Sequence, residues 1–162
     1  MKVYFYHTQD IQRIVREYAE GRMPSHLLYG ALHLGDEGID VQWHRSPRAS
    51  VYMCRWKLIL HTTWQVLRRA RRCEAIYATH YKGLDFIILL RALGLWCTPI
   101  IVWHHQPMQR QRSWAKRLLA KLFYRGMDRL IFFSQNLLEQ SLATPAARPE
   151  RMVVGCWGPD LD

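Results

Sequence analysis

The fold is decided by residues 84–105, which read LDFIILLRALGLWCTPIIVWHH. The apolar part, Phe86–Trp103, is close to the length of ~20 residues that crosses a bilayer as a helix. Four residues interrupt it, namely Arg91, Gly94, Thr98 and Pro99. The stretch therefore predicts a buried helix over Leu84–Leu93, a turn, and a short strand over Pro99–Trp103. It predicts no membrane span.

The same alternation of strand and helix extends outward from this stretch. Short runs rich in β-branched and aromatic residues predict six strands: Val3–Tyr6, Ile39–Trp43, Ala75–Ala78, Pro99–Trp103, Arg129–Phe133 and Met152–Gly155. Helical patterns fill most of the gaps, which indicates right-handed crossovers and a mostly parallel sheet. The chain has 162 residues, enough for one domain. We therefore expect residues 1–162 to form a single α/β domain, a Rossmann-like three-layer αβα sandwich.

Helical spacing predicts which sides of two helices pack on the sheet. In the second helix these residues are Trp56, Ile59, Leu60, Thr63, Leu67 and Ala70; in the fourth they are Trp114, Leu118, Leu119, Leu122 and Phe123. Ser134 is placed to cap a helix over Gln135–Leu142. His33 and His61 are placed within helices.

Positive charge is concentrated in two parts of the chain. The formal net charge is +10, and no acid occurs between Asp40 and Glu74 or between Asp85 and Asp128. Such windows attract anionic lipid, nucleic acid or phosphorylated ligands, and charge alone does not choose among these.

Several common chemistries lack their sequence motifs. The chain contains no GxGxxG, no GxxxxGK[ST] and no GxSxG, which argues against dinucleotide binding, P-loop hydrolysis and an α/β-hydrolase. The four cysteines form no CxxC pair, which argues against a zinc site. His104 and His105 are neighbours on a strand and point to opposite faces, so we expect no metal site there.

Polar residues follow the predicted strands. Ligands of open parallel sheets bind outside the carboxyl ends of the strands. The residues expected there are His7, Pro24, Ser25, His26, His44, His80, Tyr81, Lys82, His104, His105, Gln106, Ser134 and Trp157. Six of the eight histidines lie at this edge, which favours a site for hydroxyl or phosphate groups.

Four segments in order resemble the N-terminal, acceptor-side domain of family-four glycosyltransferases of the GT-B fold. The first is Met23–Ala31 followed by Gly38–Val41, which is similar to that family's first loop and helix. Pro99–His105 looks like its fourth strand with an active-site histidine. Asp128–Ser134 and Val153–Asp160 are similar to its "D-x-hydrophobic-hydrophobic-x-x-S" strand and "V-x-x-x-x-G-x-D" tail. The first loop departs from the family, because many members carry paired glycines where this chain has Pro24-Ser25-His26.

The resemblance implies retaining transfer of a sugar from a nucleotide-sugar donor to an acceptor hydroxyl, in a cleft between two domains. His105, or its neighbour His104, would contact the donor sugar or the developing charge. The acceptor side would be formed by Pro24, Ser25, His26, His80, Tyr81, Lys82, Gln106, Ser134 and Trp157. No metal or other cofactor is implied. The donor would bind mainly to a C-terminal domain of the same protein, with E-x7-E carboxylates, that these residues do not include.

Partners follow from the same resemblance. Many relatives act on glycan or lipid-linked acceptors near membranes, so Arg112, Lys116 and Lys121, with Trp114 nearby, are expected to contact anionic headgroups. This implies a cytoplasmic protein, peripheral at the inner face of the cell membrane. Two other classes stay open: a nucleic-acid-binding module, disfavoured because the aromatics are scattered, and a single-domain module that binds a small ligand without catalysis.

Overall fold

The computed structural model describes residues 1–45 and 54–155. The strands are β1 (Lys2–Tyr6), β2 (Asp40–Trp43), β3 (Ala75–Ala78), β4 (Ile100–His104), β5 (Arg129–Phe132) and β6 (Met152–Val154). The α-helices are α1 (Ile11–Ala19), α2 (Arg55–Arg69), α3 (Asp85–Ala92), α4 (Trp114–Arg125) and α5 (Gln135–Leu142). Each predicted strand is confirmed, with ends that differ by at most one residue.

The strands form one parallel sheet in the order β2-β1-β3-β4-β5-β6. From β1 the chain first moves to one edge through α1, and then crosses back and continues to the other edge through α2 to α5. Because such crossovers are right-handed, α1 covers one face of the sheet and the other four helices cover the opposite face. The predicted Rossmann-like α/β sandwich is confirmed. The strand order reverses between β1 and β3, and this is the switch point of the fold.

Alternate residues of the strands supply two separate cores. Phe5 packs with Ile11, Ile14, Leu28 and Ala31 on the face that α1 covers. The larger core, under α2 to α5, includes Tyr4, Tyr6, Val66, Ile76, Ile87, Ile88, Ile100, Val102, Leu130 and Phe132. The period of two along a strand sends Tyr4 and Tyr6 to one core and Phe5 to the other. Both faces of the sheet are therefore buried around β1, which fixes the strands that end at the switch point.

The segment after β1 differs from the sequence-based prediction. The sequence predicts no helix directly after β1, but Ile11–Ala19 is an α-helix, capped by the Asp10 carboxylate, which accepts the Arg13 N–H at 3.3 Å. The helix implied after Met23 is absent from the described residues. In its place a 3-10 helix covers Ser25–Leu28 and turns follow it, so His33 lies in a turn.

Two predicted helix faces are wrong in part. In α2 the buried residues are Leu58, Ile59, Thr62, Thr63 and Val66, whereas Trp56 and Leu60 are exposed. In α4 no residue is fully buried, and Trp114, Leu118 and Leu119 are exposed. Periodicity shows which residues share a side of a helix, but a wide apolar stripe leaves open which part of it meets the sheet. In α2 the buried side includes Thr62 and Thr63, while Trp56 and Trp64 lie on the outer side.

Helices α3 and α4 pack closely, and an ion pair fixes their ends. A Cβ added to Gly126 would lie 2.0 Å from the carbonyl oxygen of Ile88, so only glycine permits this approach. Asp128 accepts hydrogen bonds from Arg91 Nη2 at 2.8 Å and Nε at 3.0 Å, and from the Ile100 N–H at 2.9 Å. The pair joins the end of α3 to the starts of β4 and β5.

Candidate functional site at the strand ends

Five rings gather where β1, β3, β4 and β5 end. They belong to His7, Tyr29, His80, His105 and Phe133, and we call them the strand-end cluster. The ring centre of His105 lies 4.7 Å from that of Phe133, 5.7 Å from that of His80 and 5.9 Å from that of Tyr29. Tyr29 is also 6.2 Å from His7. The cluster lies at the switch-point edge, where ligands of this fold class bind.

His105 has one ring nitrogen anchored and lies exposed at the centre of the cluster. Its Nε2 is 2.6 Å from the carbonyl oxygen of Thr79. Since a carbonyl oxygen can only accept, Nε2 carries the proton and donates. In the neutral ring Nδ1 is then an acceptor, and in the protonated ring it is a donor. The hydrogen bond to Thr79 therefore holds the ring at the end of β4. Whether Nδ1 accepts or donates a hydrogen bond then depends on whether the ring is neutral or protonated.

His80 and His7 are held as neutral imidazoles by similar local bonds. The Nδ1 of His80 accepts the Lys82 N–H at 2.7 Å, and the Nδ1 of His7 accepts the Gln9 N–H at 2.9 Å. Burial lowers the pKa of each ring to about 4. Both neutral rings therefore carry their proton on Nε2. Two neutral imidazoles accompany His105 at this edge.

Tyr29 is held in the cluster by an unusual backbone conformation. Its φ of 51° is the one positive value at a non-glycine residue among the described ranges. Its carbonyl oxygen accepts the Tyr77 hydroxyl at 2.8 Å, and that hydroxyl accepts Trp103 Nε1–H at 2.6 Å. Left-handed conformations at bulky residues cost about 1–3 kcal/mol and cluster at functional sites. The first loop is therefore tied to the middle of the sheet, with the Tyr29 ring beside His105.

Sequence reasoning did not select Tyr29 and Phe133 as site residues, and it left His7 without a role. Tyr29 precedes Gly30, whose φ is also positive, and this Tyr-Gly pair was a local signal for a turn. Phe133 follows directly after β5, but as a phenylalanine it matched the pattern of the strand itself. Aromatic residues at strand ends are ambiguous in sequence, because the same residue types fill the core.

His104 lies in a different environment from His105. It is 3% exposed, its Nδ1 bonds the Gln106 carbonyl, and its Nε2 lies 3.3 Å from the hydroxyl of Tyr124 in α4. Its ring packs at 5.4 Å from Phe132, and burial lowers its pKa. Adjacent strand residues face opposite ways, and here His104 belongs to the helix-covered core while His105 belongs to the strand-end cluster.

The loop after β3 borders both environments. The Tyr81 ring stacks on His80 at 4.9 Å and on His104 at 5.7 Å. Lys82 is exposed, and its carbonyl oxygen accepts the Tyr6 hydroxyl at 2.7 Å. Gly83 has a φ of 96°, and a Cβ there would lie 2.5 Å from that hydroxyl, so the loop requires glycine at this point.

The other predicted site residues lie around this edge with local roles. Ser134 caps α5, as predicted, by accepting the Leu137 N–H at 3.3 Å. Gln106 is exposed next to His105. Pro24 precedes the 3-10 helix that contains Ser25 and His26 and leads into Tyr29. Trp157 lies outside the described residues.

The remaining predicted residues are not part of the cluster. His44 is buried, its Nδ1 is 2.7 Å from the Tyr4 hydroxyl, and burial lowers its pKa to about 3. It is a core histidine. Arg112, Lys116 and Lys121 are exposed in or just before α4.

The cluster has the chemistry of a site for hydroxylated ligands. It combines the neutral imidazoles of His7 and His80, the imidazole of His105, whose Nδ1 has no partner among the described residues, and the aromatic rings of Tyr29 and Phe133. Small-ligand sites combine apolar or aromatic walls with a few placed polar groups in this way. Within residues 1–45 and 54–155 no three histidine, cysteine or acidic side chains are grouped so as to hold a metal ion.

Comparison with known proteins adds no family to this description. No protein-family model matches the chain, and no curated protein sequence matches it significantly.

Proposed function

We propose that this chain is the acceptor-side half of a glycosyltransferase that moves a sugar from a nucleotide-sugar donor to an acceptor hydroxyl. The bond between the anomeric carbon and the diphosphate oxygen breaks, and a bond between that carbon and the acceptor oxygen forms with retention of configuration. The acceptor's proton passes to the leaving diphosphate. A C-terminal domain of the same protein binds most of the donor, and the acceptor is a glycan or a lipid-linked molecule.

The position of His105 is the observation that carries this proposal. Its Nε2 is committed to the Thr79 carbonyl, so its Nδ1 is the nitrogen left for a ligand at the switch-point edge. When neutral, Nδ1 accepts a hydrogen bond from a hydroxyl of the donor sugar; when protonated, it donates a hydrogen bond to the leaving group and stabilises its negative charge. A fixed group of this kind contributes to catalysis because it needs no reorganisation during the reaction.

The neighbours of His105 support the same role. His80 is a neutral donor, which suits sugar hydroxyls and phosphate oxygens without adding fixed charge. The rings of Tyr29 and Phe133 flank His105 and give its surroundings the aromatic character that is common in small-ligand sites. The segment Pro99–His105 resembles the family's fourth strand with its active-site histidine, and by that resemblance the histidine would be His105 or its neighbour His104.

The experiment uses the full-length protein with a panel of UDP-, GDP- and ADP-sugars, with and without a membrane extract as acceptor source. Release of nucleoside diphosphate is the measurement. We expect release with one donor class and a decrease on the order of 100-fold in the variant His105→Ala, the size that follows removal of one charge-stabilising group. His33→Ala removes an exposed histidine from a turn and is the matched control, with wild-type release expected.

Release at the wild-type rate by His105→Ala contradicts the proposed role. The net charge of +10 favours one other class, a nucleic-acid-binding module without catalysis. That class predicts no release from any donor, together with oligonucleotide binding that weakens steeply with salt. The two measurements on one preparation separate the classes.

A further inference from the structure

The outer surface of α2 carries a row of exposed tryptophan and leucine. Trp56 is 75% exposed and Trp64 63%, with exposed Leu60 between them. These residues recur at intervals of four, so they form one stripe along the helix. A soluble helix normally turns such a stripe toward its core. Here the core is contacted by other residues of the same helix, and the stripe is left outward.

The same feature continues across the next two helices. Phe86 on α3 and Leu93, which directly follows that helix, are exposed. Trp114, which is 74% exposed, lies on α4 with exposed Leu118 and Leu119. Helix α3 contacts both α2 and α4. The exposed apolar side chains therefore belong to one layer of three adjacent helices. We call this surface the α2–α4 face: Trp56, Leu60, Trp64, Phe86, Leu93, Trp114, Leu118 and Leu119.

The α2–α4 face is bordered by positive charge. Neither α2 nor α4 contains an acidic residue. Asp85, the acid of α3, is ion-paired with Arg55. Among the described residues no ion pair involves Lys57, Lys116, Arg117 or Lys121, and the Arg68 guanidinium lies 5.9 Å from the centre of the Trp64 ring.

We propose that the α2–α4 face docks on the surface of an anionic phospholipid membrane. Tryptophan and leucine bury their apolar parts at the boundary of headgroups and acyl chains, and lysine and arginine bind the anionic headgroups. A second copy of the chain is a poor occupant, because two faces of the same positive charge would repel each other. Nucleic acid would use the cations but leave the leucines without an apolar partner. None of the helices in the described part of the chain is long and apolar enough to cross a bilayer, so the contact is with the membrane surface.

This inference does not rest on the proposed sugar transfer, since the face is made of helix surfaces rather than strand ends. If both hold, the membrane presents a lipid-linked acceptor to the protein. Failure of one leaves the other intact, because vesicle binding and nucleotide release are measured separately.

The test is co-sedimentation of the full-length protein with vesicles of phosphatidylcholine and phosphatidylglycerol, compared with vesicles of phosphatidylcholine alone. We expect binding to the anionic vesicles, weakened by salt, with a blue shift of tryptophan fluorescence. The triple variant W56S/W64S/W114S and the charge-reversed variant R112E/K116E/K121E should each weaken binding by roughly tenfold or more. All six positions are exposed, so unfolding by urea should change little.

A variant on the opposite side of the sheet is the matched control. Y18S/R16E removes an exposed aromatic and an exposed cation from α1 and should bind vesicles like wild type. Equal binding by wild type to both kinds of vesicle overturns the proposal, as does unchanged binding by the triple tryptophan variant. Sedimentation velocity tests the alternative that a second copy of the chain covers this face. If the wild type is a dimer that does not bind vesicles, and the tryptophan variant is a monomer, then the face serves self-association and the lipid contact is refuted.

Discussion

Acidification is expected to destabilise this fold strongly, because burial lowers the pKa of His7, His44, His80 and His104 and keeps their rings neutral. Burial lowers the pKa of His7 from 6.5 to about 4 and that of His44 from 6.5 to about 3. Both folded-state values lie below the unfolded value, so the unfolded chain binds more protons once the pH falls below about 6.5. Stability is therefore full above that pH and is lost as the pH falls toward the folded-state values.

The magnitude follows from the difference in proton binding. Between about pH 7 and about pH 5, each imidazole that is protonated only in the unfolded state costs about 2 kcal/mol. For His7 and His44 together the loss is about 4 kcal/mol, a large part of the 5–15 kcal/mol that is typical for a domain. Urea unfolding at the two pH values, followed by circular dichroism, measures it.

Two variants separate this cause from general acid sensitivity. His44→Gln keeps a polar partner for the Tyr4 hydroxyl but does not titrate, so the difference in unfolding free energy between the two pH values should shrink by about 2 kcal/mol. Ile14→Val lowers stability by about 1 kcal/mol through lost packing and should leave that difference unchanged. If His44→Gln shows the same difference in unfolding free energy between the two pH values as the wild type, the reasoning is refuted.

Three further substitutions test the packing around the site, each by urea unfolding. Gly126→Ala should destabilise by at least about 1–3 kcal/mol, because its Cβ would meet the carbonyl of Ile88; stability equal to wild type would contradict that contact. Gly83→Ala should cost a similar amount, about 1–3 kcal/mol, through its positive φ and the Tyr6 hydroxyl. Asp128→Asn should destabilise by roughly 1–3 kcal/mol near pH 7. Although burial raises the pKa of Asp128, the hydrogen bonds from Arg91 and Ile100 outweigh it and the net pKa is lowered. The stabilisation is therefore present above the ordinary pKa of aspartate and is lost as the pH falls through the lowered one. A difference from wild type that does not shrink in acid would exclude an ionic origin.

The sheet could be predicted from the sequence because its signals are local. Each strand is a short run of β-branched and aromatic residues between clear turn signals, and all were found to within one residue. The helix Ile11–Ala19 was missed because charged residues separate its few apolar ones, so that only Ile11 and Ile14 are fully buried, with Val15 packed beside them. The outward faces of α2 and α4 were missed because periodicity does not distinguish a stripe packed on the sheet from one left on the surface.

The candidate site was predictable in position but not in composition. Strand ends converge in any parallel sheet, so His80 and His105 could be placed together from topology alone. Alternation along an extended chain predicts that His104 and His105 face opposite ways, but which of them reaches the site depends on contacts that sequence does not give, with Thr79 for His105 and Tyr124 for His104. Tyr29 comes to the site from a distant loop through a left-handed turn, and no pattern of spacing predicts that approach.

The most direct test of the central claim compares His105→Ala and His104→Ala in the full-length protein, by kcat for sugar transfer and by urea unfolding. The account predicts that His105→Ala loses turnover on the order of 100-fold at nearly unchanged stability. His104→Ala should lose stability by about 1–3 kcal/mol, because it leaves buried polar groups without a partner. Wild-type turnover in His105→Ala, with the loss of turnover instead in a stable His104→Ala, would contradict the assignment of His105 to the site.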